Sequence, residues 1–249
     1  MTNAESPAER YFEEVRHRAA GFVQALRGTK TGGTQDAGNR LRVALANILP
    51  AQYGVVKGTV VSSSRKLKPL DIDGALIVDQ AGNSPLFQGA GDLYPVETVL
   101  GAVARLRTLD SSRSEELHGA LEPLRAMAKR GRFYLNYDLM TKPNGKQVAA
   151  LREQRHETSP RTYVLVETMG WEKPGIAAKA LKDALQRMDD GHLDGLLALD
   201  RDWFFYQADN KHHIEAETKD GTIRFVQKMM ADLAMAEKFP MLLTRYAPD

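Results

Sequence analysis

Two acidic residues and two arginines stand where they could act together on a phosphodiester. Asp73 opens a short apolar run, and Glu97 lies at the start of a second one. Carboxylate oxygens are ligands that Mg²⁺ takes from proteins, and the bound ion polarises a phosphoryl group and activates water. Arg105 and Arg107 lie later in the second run, at the spacing that points two side chains to one side of a strand. A guanidinium group recognises phosphate well, so metal-dependent phosphodiester chemistry is the first activity to consider.

Each of these residues also has a structural interpretation. Asp73 could bond to loop backbone at a strand entrance, since an isolated acid holds a metal weakly. Glu97 could be solvated, or it could be a second carboxylate assisted by Asp71. Arg105 and Arg107 could be exposed residues or interface anchors.

A basic rim could bind nucleic acid without cutting it. Its candidate members lie in a basic loop and in the second apolar run: Lys57, Arg65, Lys66, Lys68, Arg105 and Arg107. Binding through phosphates should weaken steeply with added salt, because counterions are released. The alternative is a basic loop that is merely solvated.

The bulk composition narrows the function classes. The chain has 249 residues with 34 basic and 32 acidic side chains, a net charge of +2, so no global field attracts it to nucleic acid or membrane. Cysteine is absent, which excludes disulfides, thiolate metal sites and a cysteine nucleophile. The first residues have neither the basic stretch nor the apolar stretch of a signal peptide, and no stretch approaches the roughly 20 apolar residues of a membrane span. We therefore expect a cytoplasmic protein without a membrane partner.

The helices and strands that must position these residues are predicted from the spacing of apolar residues and from the glycines and prolines that interrupt it. Apolar spacing predicts a first helix over 7–27 and a second that ends at Pro50, with a flexible linker over 29–38 between them. Strands are predicted over 53–61, 75–78 and 96–106, with a basic loop over 62–69 and a turn over 81–85.

The second half of the chain repeats the mixture of helices and strands. The cluster at 110–115 predicts a capped helix to about residue 129, and the polar stretch 141–161 predicts a mobile insertion. Further strands are predicted over 163–167, 193–199 and 203–206, and helices over 176–188 and 222–238. The order predicts one α/β domain, 1–249, in which helices cover a central mixed sheet.

Two conspicuous motifs have ordinary explanations. Adjacent side chains on an extended segment diverge, so His212 and His213 are interpreted as part of a polar loop rather than as a metal site. The aromatic run from Trp203 to Tyr206 could stack bases, but an aromatic strand is more commonly core.

The element order and four motifs resemble an uncharacterised bacterial domain-of-unknown-function family with a restriction-endonuclease-like fold of the PD-(D/E)XK type. The resemblance covers nearly the whole chain, including the segments near its C-terminus. The motifs are Leu41–Pro50, Gly54–Gly58, Asp73–Asp79 and Pro95–Leu100.

The resemblance implies a metal-dependent nuclease site with an acid in the helix before Leu41, an Asp opening the second strand and Glu-x-Lys in the third. The strand acid falls on Asp73, and the helix acid would fall near Gly38 or Asn39. The Glu-x-Lys positions fall on Ala104 and Leu106, so the second acid and the lysine are missing.

Three hypotheses follow. The leading one is a degenerate nuclease-fold protein that acts as a binding or assembly subunit. The resemblance implies that it works in a bacterial system against phage or other foreign DNA. The second is an active nuclease that uses Mg²⁺ or Mn²⁺ at Asp73 and a relocated Glu97, with Arg105 or Arg107 replacing the lysine. The third is a nucleic-acid-binding protein that does not cleave. The first hypothesis needs no cofactor. The possible partners are a second copy of the chain in a homodimer, another protein, DNA or RNA.

Overall fold

The computed structural model describes residues 7–27, 34–61, 70–71, 74–79, 92–113, 116–123, 160–187, 193–208 and 213–236. Its helices are α1 (Pro7–Arg27), α2 (Thr34–Ile48), α3 (residues 116–123), α4 (Pro174–Gln186) and α5 (Gly221–Met235). Its strands are β1 (Tyr53–Val56), β2 (Thr59–Val61), β3 (Leu70–Asp71), β4 (Gly74–Asp79), β5 (Leu93–Pro95), β6 (Val99–Leu109), β7 (Arg161–Met169), β8 (Gly195–Ala198), β9 (Trp203–Gln207) and β10 (Ile214–Glu217).

The strands form a large mixed sheet and a small one. The large sheet has the order β1-β4-β6-β7-β8-β9-β10, with β6, β7 and β8 parallel and the other neighbours antiparallel. The small sheet has the order β3-β2-β5. This is the predicted α/β architecture, a central mixed sheet flanked by helices.

The large sheet is apolar on both faces, which explains its unbroken apolar runs. One surface, the α1 face, packs against α1, α2 and α5 through residues such as Phe22, Leu45 and Phe225. The other, the α4 face, packs against α3, α4 and the small sheet through residues such as Leu117 and Leu181. Successive strand residues alternate between these faces, so the position of a residue in a strand decides which cluster it joins.

Several predicted boundaries are wrong. Helix α2 already begins at Thr34, so the linker cannot extend to residue 38. The strand predicted over 53–61 is two strands in different sheets, separated at Lys57 and Gly58. A Cβ atom at Gly58 would lie 2.6 Å from the ring of Tyr94, so the close approach of β5 requires a glycine at this break between the strands.

The strand that carries Arg105 begins later than predicted. Residues Val96–Thr98 form a 3₁₀ helix, and β6 begins at Val99 and continues to Leu109. The Thr98 hydroxyl donates to the carbonyl of Pro95 at 2.8 Å, which stabilises this turn. Glu97 therefore lies on a helical turn and not at a strand start.

Some predicted segments lie outside the described residues. These are the basic loop 62–69, the turn 81–85, most of the insertion 141–161, and the end of the helix predicted after residue 115. Arg161 itself belongs to β7. The single-domain organisation stays a prediction.

Candidate functional site

The two strand positions where the resemblance expects Glu and Lys are filled with hydrocarbon. Ala104 is 3% exposed and Leu106 is 9% exposed, and both belong to the apolar cluster on the α4 face. Their neighbours in that cluster include Leu76, Val164 and Val166. Neither side chain offers an oxygen or nitrogen donor, and the surrounding apolar atoms would penalise a charge placed there.

Gly74 seats strand β4 directly against this part of β6. It pairs with Ala104, and a Cβ atom on Gly74 would lie 2.0 Å from the carbonyl oxygen of Val103. Only a residue without a side chain permits this approach. Strand β4 therefore begins opposite position 104, where the resemblance expects a glutamate.

The structure gives no side-chain positions for the two candidate metal ligands, Asp73 and Glu97. Asp73 lies outside the described residues, and the structure describes the backbone of Glu97 without its side chain. Within the described part of the chain, no group of three or more His, Asp and Glu residues could hold a metal ion. The divalent ion implied by the fold family does not fit the described part of the site, because Ala104 and Leu106 provide no side-chain ligand.

Arg105 lies on the other face of β6 from its two neighbours. Its Nη2 atom forms an ion pair with Oε1 of Glu167 on β7, and the two side chains are 16% and 35% exposed. The Nη1 atom of Arg105 is buried and makes no hydrogen bond within the described structure. Arg105 therefore does not occupy the space of the missing lysine, which belongs to the opposite face.

Arg107 is exposed, and the alternation of side chains along β6 does not settle on which face of the sheet it lies. Leu106 and Leu109 both join the cluster on the α4 face although they are three residues apart. Strand β7 shows the same irregularity, because Val166 and Met169 also join that cluster. The expectation that Arg105 and Arg107 share one side stays a prediction.

The structure locates only some of the other members of the basic rim. Lys57 is exposed between β1 and β2. Arg65, Lys66 and Lys68 lie outside the described residues.

A polar network joins the amino ends of β7 and β8, and the sequence analysis missed it. The buried Asp194 carboxylate accepts hydrogen bonds from the Thr162 amide at 2.6 Å and from Arg161 Nη1 at 3.1 Å. Burial opposes the charge of Arg161, but the nearby carboxylates of Asp194 and Asp232 more than compensate, so the pKa of Arg161 is raised. A lone acid inside the apolar run 193–199 was the signal for such a partner.

Tyr163 extends this network to α5. Its hydroxyl donates to Oδ2 of Asp232 at 3.0 Å, and Lys228 Nζ contacts both oxygens of the same carboxylate, at 2.7 and 2.8 Å. Burial, followed by the neighbouring charges of Asp194 and Asp232, raises the pKa of Tyr163 well above its usual value. These contacts connect the large sheet to α5.

The structure tests the interpretations of the aromatic run and of the histidine pair with different results. Phe204 and Phe205 are buried, which confirms that the aromatic strand is core. The interpretation of the polar segment 209–217 around the histidines as a loop is partly wrong, because Ile214–Glu217 forms β10. His213 is exposed just before this strand, and His212 lies outside the described residues.

None of the described helices combines the length and apolarity that crossing a membrane requires.

The sheet order and the flanking helices define an α/β protein with a restriction-endonuclease-like fold. Solved structures of NucC share this fold along nearly the whole chain. The cAAA-bound form of P. aeruginosa ATCC27853 NucC has a TM-score of 0.66 and 15% identity, over 98% of this chain and 98% of that chain. The cAAA-bound form of E. coli MS115-1 NucC has a TM-score of 0.67 and 15% identity, with 98% of each chain covered. Its apo form has a TM-score of 0.65 and 15% identity, over 97% of this chain and 98% of that chain.

At this level of identity, the similarity establishes the fold alone. No protein-family model matches the chain, and no curated protein is significantly similar to it. The domain-of-unknown-function family therefore stays a prediction.

Proposed function

We propose that this chain is a nuclease-fold protein that binds or assembles without efficient phosphodiester cleavage, as a subunit of a bacterial system against phage or other foreign DNA. The observation that carries the proposal is the burial of Ala104 and Leu106 in a continuous apolar cluster beside the start of β4. The defence setting is supported by the nuclease resemblance and by the NucC-like fold.

Cleavage would need groups that these positions lack. A divalent ion that activates water must be held by oxygen ligands, and a nearby cation must stabilise the charge on the attacked phosphate. At these two positions on the α4 face, the side chains are the methyl group of Ala104 and the isobutyl group of Leu106. Arg105 extends from the opposite face and is paired with Glu167, so it does not replace the lysine sterically.

The binding function has two classes of ligand to test. NucC has been solved with cAAA, and similarity to that form extends over 98% of this chain, so cAAA is the first small molecule to test. Nucleic acid is the second, through the basic rim of Lys57, Arg65, Lys66, Lys68, Arg105 and Arg107. Calorimetry with cAAA, and fluorescence anisotropy with labelled DNA and RNA at increasing salt, would measure these affinities separately.

A cleavage assay tests the proposal directly. Purified protein is incubated with plasmid DNA and with RNA in Mg²⁺ or Mn²⁺, beside Asp73→Ala and an Asp183→Ala control on the exposed surface of α4. We expect no metal-dependent cleavage above that of Asp73→Ala. Robust cleavage that Asp73→Ala removes and Asp183→Ala retains would reject the proposal. It would favour the alternative of an active nuclease that uses Asp73 and Glu97.

The assembly role requires a partner, which we propose to be a second copy of the chain or another protein of the same system. Light scattering of the purified protein gives its mass in solution. A monomer with no affinity for cAAA, DNA or RNA would reject the binding function and leave a heteromeric assembly role.

A further inference from the structure

The ion pair between Arg105 and Glu167 is incompletely satisfied. The ion pair joins Nη2 of Arg105 to Oε1 of Glu167, and a guanidinium can bind a carboxylate with two parallel hydrogen bonds when both of its terminal nitrogens take part. The Nη1 atom of Arg105 is buried and makes no hydrogen bond within the described residues. The arginine therefore retains hydrogen-bonding capacity that Glu167 does not use.

The ion pair between Arg105 and Glu167 contributes little to the stability of the fold. Partly removing a guanidinium and a carboxylate from water costs free energy, and an ion pair that leaves a buried donor unused recovers less of it than a fully hydrogen-bonded pair does. Val103, two residues earlier on the same face of β6, is apolar and packs into the cluster on the α1 face. A charged residue at position 105 is therefore better explained by a ligand than by stability.

We propose that Glu167 is an internal competitor that occupies Arg105 until a nucleic-acid phosphate displaces it. The inference rests on the proposed nucleic-acid binding and adds its regulation. On binding, the Arg105 side chain turns from Glu167 to a phosphodiester oxygen, and the released carboxylate is hydrated. Glu167 is 35% exposed, so water can reach it when the pair opens.

A phosphodiester fits this position better than a neutral ligand does. The planar guanidinium matches two phosphate oxygens, and phosphate offers the second acceptor that one carboxylate oxygen does not. Arg107 is exposed two residues further along β6. If its side chain lies on the same side as Arg105, as the sequence predicts, a polymer with repeated phosphates can use both arginines.

The test removes the competing charge and keeps the shape of its side chain. Affinities for fluorescent 20-nucleotide probes, one single-stranded DNA, one duplex DNA and one RNA, are compared for wild type and Glu167→Gln by anisotropy at constant salt. Breaking a partly exposed ion pair should raise affinity about fivefold for the preferred probe, and the probes identify which polymer it is. Glu13→Gln, on the exposed surface of α1, changes the net charge equally and should leave affinity almost unchanged.

The Arg105→Gln background shows whether the effect acts through the arginine. Arg105→Gln should weaken binding, and adding Glu167→Gln to it should change affinity no more than Glu13→Gln does. Circular dichroism and thermal unfolding show that each variant is folded. An equal gain for Glu13→Gln and Glu167→Gln, or a gain that persists without Arg105, would overturn the inference.

Absence of binding by both wild type and Glu167→Gln also overturns it. That result leaves the non-cleaving proposal standing, because the cleavage assay and the cAAA titration test that proposal separately. Nucleolytic activity would have the opposite effect, rejecting the non-cleaving proposal while the competition between Glu167 and phosphate could still be measured with Ca²⁺ or EDTA in the buffer.

Discussion

Gly74 lies opposite Ala104 on the neighbouring strand, so close that a Cβ atom would be 3.2 Å from the Ala104 Cα atom and 2.0 Å from the Val103 carbonyl oxygen. Gly74→Ala must therefore push β4 away from β6. Such overpacking should lower the free energy of unfolding by about 1–3 kcal/mol, measured by urea denaturation.

Gly119 provides the matched control for this substitution. It lies in α3, and nothing lies within 4 Å of the place that a Cβ atom would take. Gly119→Ala should raise stability by up to about 1 kcal/mol, since alanine is the better helix former. Equal stability of Gly74→Ala and wild type would contradict the close contact between β4 and β6.

A carboxylate at position 104 should be poorly tolerated. Ala104→Glu places an unpaired charge in the apolar cluster and should cost about 2–4 kcal/mol of unfolding free energy. Arg107→Glu, on the exposed part of the same strand, should change stability by less than about 0.5 kcal/mol. Denaturation with and without Mn²⁺ is the measurement. Recovery of Ala104→Glu by Mn²⁺ would show that oxygen ligands converge there, contrary to the apolar filling that we describe.

The Asp194 carboxylate should be among the most sensitive polar groups in the described structure. Asp194→Asn removes the carboxylate that pairs directly with the largely buried Arg161, and breaking such a pair costs about 3–5 kcal/mol. Asp183→Asn, on the exposed surface of α4, should be neutral within about 0.5 kcal/mol. Thermal unfolding at neutral pH compares the two variants, and equal melting temperatures would show that the network contributes no stability.

Alkaline pH should destabilise the protein through Tyr163. Its folded-state pKa is raised, mainly by burial, so the folded state retains the proton while the unfolded state loses it near pH 10. The stability from the protonated hydroxyl is therefore complete below pH 10 and is lost as pH rises from there towards the folded pKa. Tyr163→Phe should show a shallower loss of stability between pH 9 and about pH 11. Identical pH slopes for the two proteins would exclude this contribution.

The sequence predicts elements well where a local pattern is supported by packing. The runs around Leu76 and Leu165 are strands because their residues are buried on both faces of the sheet. The positions 104 and 106 are also predictable as buried, since Ala and Leu suit a covered strand. The closing helix follows from its amphipathic spacing, with Phe225 and Met229 in the core.

The failures come from contacts between distant residues. The break at Gly58 depends on Tyr94, and the pairing of Arg105 depends on Glu167, 62 positions further along the chain. No periodicity near Arg105 identifies that partner. The start of β6 is different, because Pro95 and Thr98 form a local turn that a pattern of β-branched residues conceals.

Strand β10 ends the large sheet with two glutamates in four residues, Glu215 and Glu217. If two copies of the protein joined through this edge, their carboxylates would gather along one seam and repel each other. The acidic border therefore disfavours the pairing of two copies through β10, a hazard that strand edges carry.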